Sequence, residues 1–321
     1  MNQLPPLPEL GPVPSGVSVT EPVSAAIAHT RRMLFPFDAA KWLTLGFVAW
    51  LAHWGEGGAS SFQLPDPGGK GGGSGLGPAV QWVRDHLSTV MLVGLFALLV
   101  GIGVGALVTW VSSRAKLMFV HAIVRDEARV EEPWRRFRER GKDLFLARLV
   151  LGLIGLGFLL AGAGVMLVLA WPELERGTIG RGFAIAAIAG TSLLLVGMLP
   201  LAVVNALIED FVVVAMYKFD EPVRPAFRRV RAGILRGNLG PIVLFYLMRF
   251  VIGIVLALIT GVLTCLTCCF AALPYIGSVI LLPVLVFDRA YVLFFVEQFG
   301  DEWRLFPRPE TSAFDPGFAP P

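Results

Sequence analysis

The residues of this chain best placed to do chemistry are the charged ones embedded in apolar runs. Arg148, Arg249, Asp288 and Arg289 lie within such runs, and Asp38, Arg114, Glu209 and Asp210 lie at or near their ends. A charge at the centre of a bilayer costs about 3 kcal/mol or more, so each one calls for a partner. In an antiparallel pair of helices, residues equally far from the shared end lie at one depth. At ~1.5 Å per residue that counting sets Arg249 against Asp288. It also sets Arg148 against Glu209 or Asp210, and Asp38 against Arg114. An ion pair in each hairpin is therefore expected. Such pairs either neutralise charge near the membrane surface, where long side chains reach water, or line a path for a proton or solute. The first is the plainer reading. Residues 183–217 would make ~52 Å of helix against a ~30 Å hydrocarbon core, so headgroup level is expected for Glu209 and Asp210.

Other patterns give less chemistry. Glu131, Glu132 and Arg136 form an EExxxR string, which resembles the first motif of the membrane-embedded prenyl-protein proteases. That chemistry also needs intramembrane histidines to ligate a metal and activate water. The histidines are His29, His53, His86 and His121, none at the FxxxH spacing, so the string is expected to be the polar face of a surface helix. Cys265, Cys268 and Cys269 have CxxC spacing but lack a fourth ligand, since no histidine follows His121. The Gly-rich stretch 55–78 lacks a GK[ST] ending and does not join a strand to a helix, so a linker is expected rather than a phosphate loop. No nucleophile–base set emerges. Neither a catalytic residue, a metal nor a cofactor is implied.

The elements that position the charges follow from composition. The chain has 321 residues, 55% hydrophobic and 16% charged, with mean hydropathy +0.70. Soluble domains carry about 25% charged residues; this chain is expected to be a polytopic membrane protein. Apolar spans are expected at about 39–54, 87–111, 144–171, 183–207 and on towards 217, 241–263 and 275–299. The first thirty-five residues lack the pattern of a secretory leader, so the first span is expected to remain as an anchor. Gly94, Gly101 and Gly105 offer span two a small-residue face suited to close helix packing. Residues 1–20 and 307–321 are Pro-rich and expected to be disordered.

A repeat organises these spans. Glu-Pro occurs at Glu21-Pro22, Glu132-Pro133 and Glu221-Pro222, each followed by an Arg-Arg pair: Arg31-Arg32, Arg135-Arg136 and Arg228-Arg229. Each opens a basic amphipathic helix that leads to an apolar hairpin, with Pro and acids in the first turn as a helix start favours. Gly141 and Gly237 are expected to end the second and third basic helices. The fold expected is an all-α bundle of about six transmembrane helices in three hairpins. The modules run about 21–128, 129–218 and 219–306, and in each the hairpin is preceded by a cytoplasmic amphipathic interfacial helix. Of 27 Lys and Arg, 20 flank one side and 4 the other, with 3 inside spans. Both termini are thus expected to be cytoplasmic, and the site the cell inner membrane.

The strings EPWRRFRERGKDLFLAR, DFVVVAMY and PYIGSVILLPVLVFDRAYVLFFVEQFG carry a resemblance spanning about Pro22 to Phe306. The chain resembles an uncharacterised family of bacterial inner-membrane proteins. They share a layout with the membrane region ahead of the catalytic domain in some glycerophosphodiester phosphodiesterases. The resemblance implies membership rather than mechanism, because the family has no assigned chemistry, and the His-Arg-Gly start of the phosphodiesterase domain does not occur in this sequence. From the residues themselves, Arg31, Arg32, Arg135, Arg136, Arg228 and Arg229 are expected to meet anionic lipid headgroups rather than nucleic acid. A non-enzymatic role in lipid handling or membrane organisation follows as the leading expectation. A transporter of a small solute or lipid is the alternative, with the hairpin charges lining its path.

Overall fold

The computed structural model describes residues 16–54, 82, 85–176, 180–267 and 273–306. The Pro-rich segments before 16 and after 306, the Gly-rich stretch 55–81, Cys268 and Cys269 lie outside the described residues. Regular structure among the described residues is all helical. The helices are α1 (Glu21–Leu34), α2 (Ala39–His53), α3 (Leu87–Arg125), α4 (Glu131–Arg136) and α5 (Arg138–Arg176). After them come α6 (Arg181–Leu207), α7 (Val213–Phe219), α8 (Val223–Val230), α9 (Leu239–Leu266), α10 (Pro274–Ile280) and α11 (Leu282–Glu297). π-Helical turns at Ile208–Val212 and Arg231–Leu235 follow α6 and α8. Four helical stretches are long and apolar enough to cross a membrane: Leu87–Arg125, Arg138–Glu173, Arg181–Phe219 and Leu239–Leu266. Segment α2 has 15 residues, and the expected sixth span breaks into α10 and α11 at Leu281. Pro283 accounts for the break, because it has no N–H for the previous turn and its ring excludes a continuous helix.

Contacts divide the described residues into two compact units. One comprises those within Met1–Trp50, Leu117–Arg135 and Val214–Pro321; the other, those within Leu51–Lys116 and Arg136–Val213. In the first, α1 starts with Glu21 and Pro22 and buries Ala26, Thr30, Met33 and Leu34. The chain ahead of it is already tied down: Gln298 exchanges hydrogen bonds with the Ser18 backbone (2.7 and 2.8 Å), and Tyr291 donates to Val19 O at 3.2 Å. Segment α2 seats against α10, where Ser278 donates to Gly46 O at 2.9 Å and Tyr275 to Leu43 O at 3.1 Å. Phe245 of α9 stacks on Tyr291 and Phe295 of α11, with ring centres 5.4 and 4.3 Å apart. Gly237, at φ +89°, is the left-handed residue that ends the third basic helix.

The second unit is built on the antiparallel pair α5 and α6. Residue numbers rise along one helix as they fall along the other: Gly197 faces Phe158, Leu194 faces Gly162, and Gly190 faces Met166. The turn between them is closed by Glu173. Its carboxylate accepts the N–H groups of Gly180, Gly182 and Phe183 at 2.7–2.9 Å, at the positive end of the α6 dipole. Two glycine expectations change. Gly141 does not end a helix; α5 runs through it, and a Cβ there would lie 3.1 Å from Arg114. Its missing side chain lets two helices approach. A Cβ at Gly94, Gly101 or Gly105 would meet no described atom within 4 Å, so the close packing lies on α5 and α6.

This geometry predicts opposite outcomes for two like substitutions. Gly190→Ala places a methyl 2.9 Å from Gly162 O, a backbone atom that cannot swing aside. It should cost about 1–3 kcal/mol and lower the thermal midpoint in detergent. Gly101→Ala, in open space, should hold or raise that midpoint.

Candidate functional site

The second unit gathers charge from three elements. On α3, Ser112 and Lys116 are one turn apart and share a face. Helix α5 presents Arg148, and the π turn after α6 presents Glu209. The Lys116 ammonium pairs with Glu209 Oε2, and Arg148 donates to Glu209 Oε1 at 3.1 Å. A second Arg148 nitrogen donates to Ser112 Oγ (3.2 Å) and Ser113 Oγ (3.4 Å), while Ser112 donates to Ala52 O at 2.9 Å. Side-chain exposures of 10, 13 and 20% for Lys116, Arg148 and Glu209 make this a largely desolvated set. Buried polar groups need this degree of satisfaction. π-Helical turns are rare and recur at functional sites.

Position along the helix decides what the set can do. Counting ~1.5 Å per residue from Arg181 puts Glu209 roughly 42 Å along, beyond a ~30 Å hydrocarbon layer. Side chains before it, such as Leu199 and Val203, are exposed, and those after it, from Phe211 to Met216, are buried. Along α3 the same change falls between exposed Leu107 and buried Ser112. The charges thus mark where each helix stops facing outward and starts facing protein.

In the first unit Arg249 of α9 donates to Asp288 of α11 at 3.0 Å, with exposures of 27 and 31%. Lys41 pairs with Asp126 at 2.8 Å. Asp126 sits at φ +54°, the left-handed cap of α3, with Glu127 N–H returning to Ala122 O at 3.3 Å. Asp38 caps α2 by accepting from Ala40 N at 2.9 Å. Arg114 is buried with its guanidinium 4.8 Å over the Trp110 ring. Asp210 is buried beside Glu209, and Arg289 follows Asp288 on α11, partly buried.

The six surface arginines separate into groups. Arg31, Arg32, Arg136 and Arg228 are exposed, and among the described residues none has a carboxylate within ion-pair distance. Arg136 lies 5.7 Å over the Phe137 ring. Arg135 pairs with Glu131 at 2.7 Å, but with both about 80% exposed the pair is worth little. Arg229 is partly exposed and engaged with its own protein. It donates to Glu221 at 2.5 Å and lies 4.3 Å over the Phe219 ring, and the Glu221 hydrogen bond raises its pKa above the ordinary value. Glu221, seen in the sequence only as part of a helix start, thus takes the donors that Arg229 was expected to offer to headgroups. Lys116 and Ser112 escaped sequence reasoning; their spacing of four ahead of a basic segment was the available signal.

His29, on α1, holds Ile123 O at 3.1 Å and lies against Phe294 and Phe306, with ring centres 5.8 and 4.8 Å away. Burial pushes its pKa below 6.5, partly opposed by that backbone hydrogen bond. Among the described residues no group of three or more His, Cys, Asp or Glu is close enough to hold a metal ion. Cys265 is exposed at the end of α9.

Comparison with known proteins adds a family. The model of a family of unknown function, DUF7544, matches residues 17–304. No curated protein and no solved structure matches the chain.

Two predictions come from these sites. Glu209→Gln removes the carboxylate that two largely buried cations share, so it should destabilise by about 3 kcal/mol, more than Arg148→Gln. Adding Lys116→Met should recover part of the loss in thermal melts. For His29 the folded pKa lies below the unfolded 6.5, so acid favours the unfolded chain. Stability should be full above about pH 6.5 and fall as pH drops through the folded value. His29→Gln should flatten that slope in melts from pH 7.5 to 5.5.

Proposed function

The chain belongs to the DUF7544 family, whose function is unknown, and from its own geometry we propose a non-enzymatic integral membrane protein that holds anionic lipid headgroups on its basic helices. The observation that carries this is the set of exposed guanidinium groups without carboxylate partners, Arg31, Arg32, Arg136 and Arg228. They stand on helices that adjoin long apolar ones. An exposed arginine is a bidentate fork that matches phosphate geometry. Lipid handling or membrane organisation is the role in which such contacts are an end in themselves. The buried charges then serve to fix helices at the depth where the lipid surface lies.

The finer arrangement belongs to the same proposal. Six spans in three hairpins would require α2 and the α10–α11 pair to cross as well, the latter with a break at Leu281. The excess of Lys and Arg on one side supports cytoplasmic termini and an inner-membrane location. Transport is the second reading, and the Lys116, Glu209 and Arg148 network beside a π turn is what favours it.

Reconstituted protein should select spin-labelled phosphatidylglycerol over phosphatidylcholine at its surface. With each basic residue worth about 1 kcal/mol, the triple variant Arg31→Gln, Arg136→Gln, Arg228→Gln should lose most of that preference, from about fivefold if one contact dominates to about a hundredfold if the three add. Unchanged selectivity in a folded variant would contradict the proposal. Solute flux that disappears in Asp288→Asn, with lipid selectivity intact, would favour transport.

A further inference from the structure

In the first unit, α1, the end of α3 and α11 enclose a half-open hollow of about 590 Å³. Its charged lining divides into used and unused groups. Asp126 is paired with Lys41 at 2.8 Å, and Arg304 with Asp301 at 2.9 Å. Glu297 Oε1 accepts the backbone N–H groups of Leu305 and Phe306 at 2.6 and 2.7 Å. Arg32 and Arg125 also line the hollow, and neither has a carboxylate within ion-pair distance among the described residues. Two guanidinium groups without an ion-pair partner are left facing one space, and the Glu297 carboxylate beside them has its Oε1 held by backbone N–H groups.

The rest of the lining says what would complement them. His29, Phe294 and Phe306 form an aromatic wall, with Phe294 and Phe306 stacked at 4.4 Å and His29 4.8 Å from Phe306. An apolar wall removes water from one side of a bound anion and strengthens its attraction to the guanidinium groups. A phosphomonoester carries about −1.5 to −2 at pH 7 and offers three acceptor oxygens, which matches two unpaired arginines. A carboxylate offers only two acceptor oxygens, fewer than two guanidinium forks can use. The neighbouring face indicates what the phosphate is attached to. Ala28 and Arg32 line a second, shallow furrow with Ile27 and Phe35, apolar side chains that stand 55 and 56% exposed.

We infer that this hollow binds the phosphomonoester headgroup of an amphiphile, with the phosphate on Arg32 and Arg125 and the chain along Ile27 and Phe35. The inference rests on the lipid-headgroup reading and deepens it, from contact along the basic helices to one saturable site. It also gives Arg125 a role that no repeat or motif indicated.

Full-length protein in phosphatidylcholine nanodiscs should bind lysophosphatidic acid saturably and one to one, read by native mass spectrometry and by titration. Arg32→Gln and Arg125→Gln should each weaken it at least about tenfold, the expected scale for a charge-assisted hydrogen-bonded pair. Ile27→Asn should weaken the lysolipid alone. Glycerol 3-phosphate and inorganic phosphate form the second arm. Glycerol phosphate binding as tightly as the lysolipid would keep the phosphate site, assign it to a soluble ligand and overturn the chain furrow. Binding that does not saturate, or that survives both arginine changes in variants with unaltered melting, overturns the inference. The two readings separate cleanly. Arg136→Gln with Arg228→Gln should lower surface lipid selectivity and leave this stoichiometric site intact.

Discussion

A helix longer than the layer it crosses has to find a second environment, and most of this structure answers to that constraint. Helices α3 and α5 have 39 residues each, roughly 58 Å at 1.5 Å per residue against a ~30 Å core. On α3 the first part is apolar and exposed, while Leu117, Val120 and Ile123 are buried. The stretch from α6 through the π turn to α7 repeats the change, from exposed Val203 to buried Phe211 and Val214. Such helices then need firm ends. Asp126 and Asp220, at φ +54° and +49°, supply left-handed caps after α3 and α7. Glycine would be the easier residue there, but a carboxylate at Asp126 also holds Lys41.

The charges follow from the same constraint. Lys116, Arg148 and Glu209 sit where outward-facing side chains give way to buried ones, so they pin the level at which the helices leave the apolar layer. Removing one partner there leaves a buried charge, which costs far more than an exposed pair contributes. Arg135 with Glu131 is the contrast, in the open and of little consequence. A membrane surface rewards the opposite arrangement, in which guanidinium groups keep their donors free. Arg31, Arg32, Arg136 and Arg228 meet that description, whereas Arg229 has given its donors to Glu221.

Depth counting along an antiparallel pair was enough to bring Arg249 to Asp288 and Arg148 to Glu209, because helix rise is constant. It had no means of foreseeing Lys116, which comes from the same helix face as Ser112 and competes for the same carboxylate. Glycine was ambiguous in sequence. Gly237 ends a helix and Gly141 lets one pass close to another, and only the partner at 3.1 Å distinguishes them. Asp38 also caps the first N–H groups of α2 with its short side chain, a role that depth counting does not address. The break at Leu281 was available in Pro283, but an apolar run from 275 to 299 invited an unbroken span. The family match over residues 17–304 agrees with the extent of the helical region and adds no activity to it.

The central claim is that the arginine-bearing surface recognises anionic, phosphate-bearing lipid. Mass spectrometry of the lipids retained when the protein is extracted gently from its own membrane tests it most directly. Enrichment of anionic lipid over the bulk membrane is the predicted result, lost when Arg31, Arg32, Arg136 and Arg228 are neutralised together. Retained lipid of bulk composition, or a bound solute in place of lipid, would contradict it.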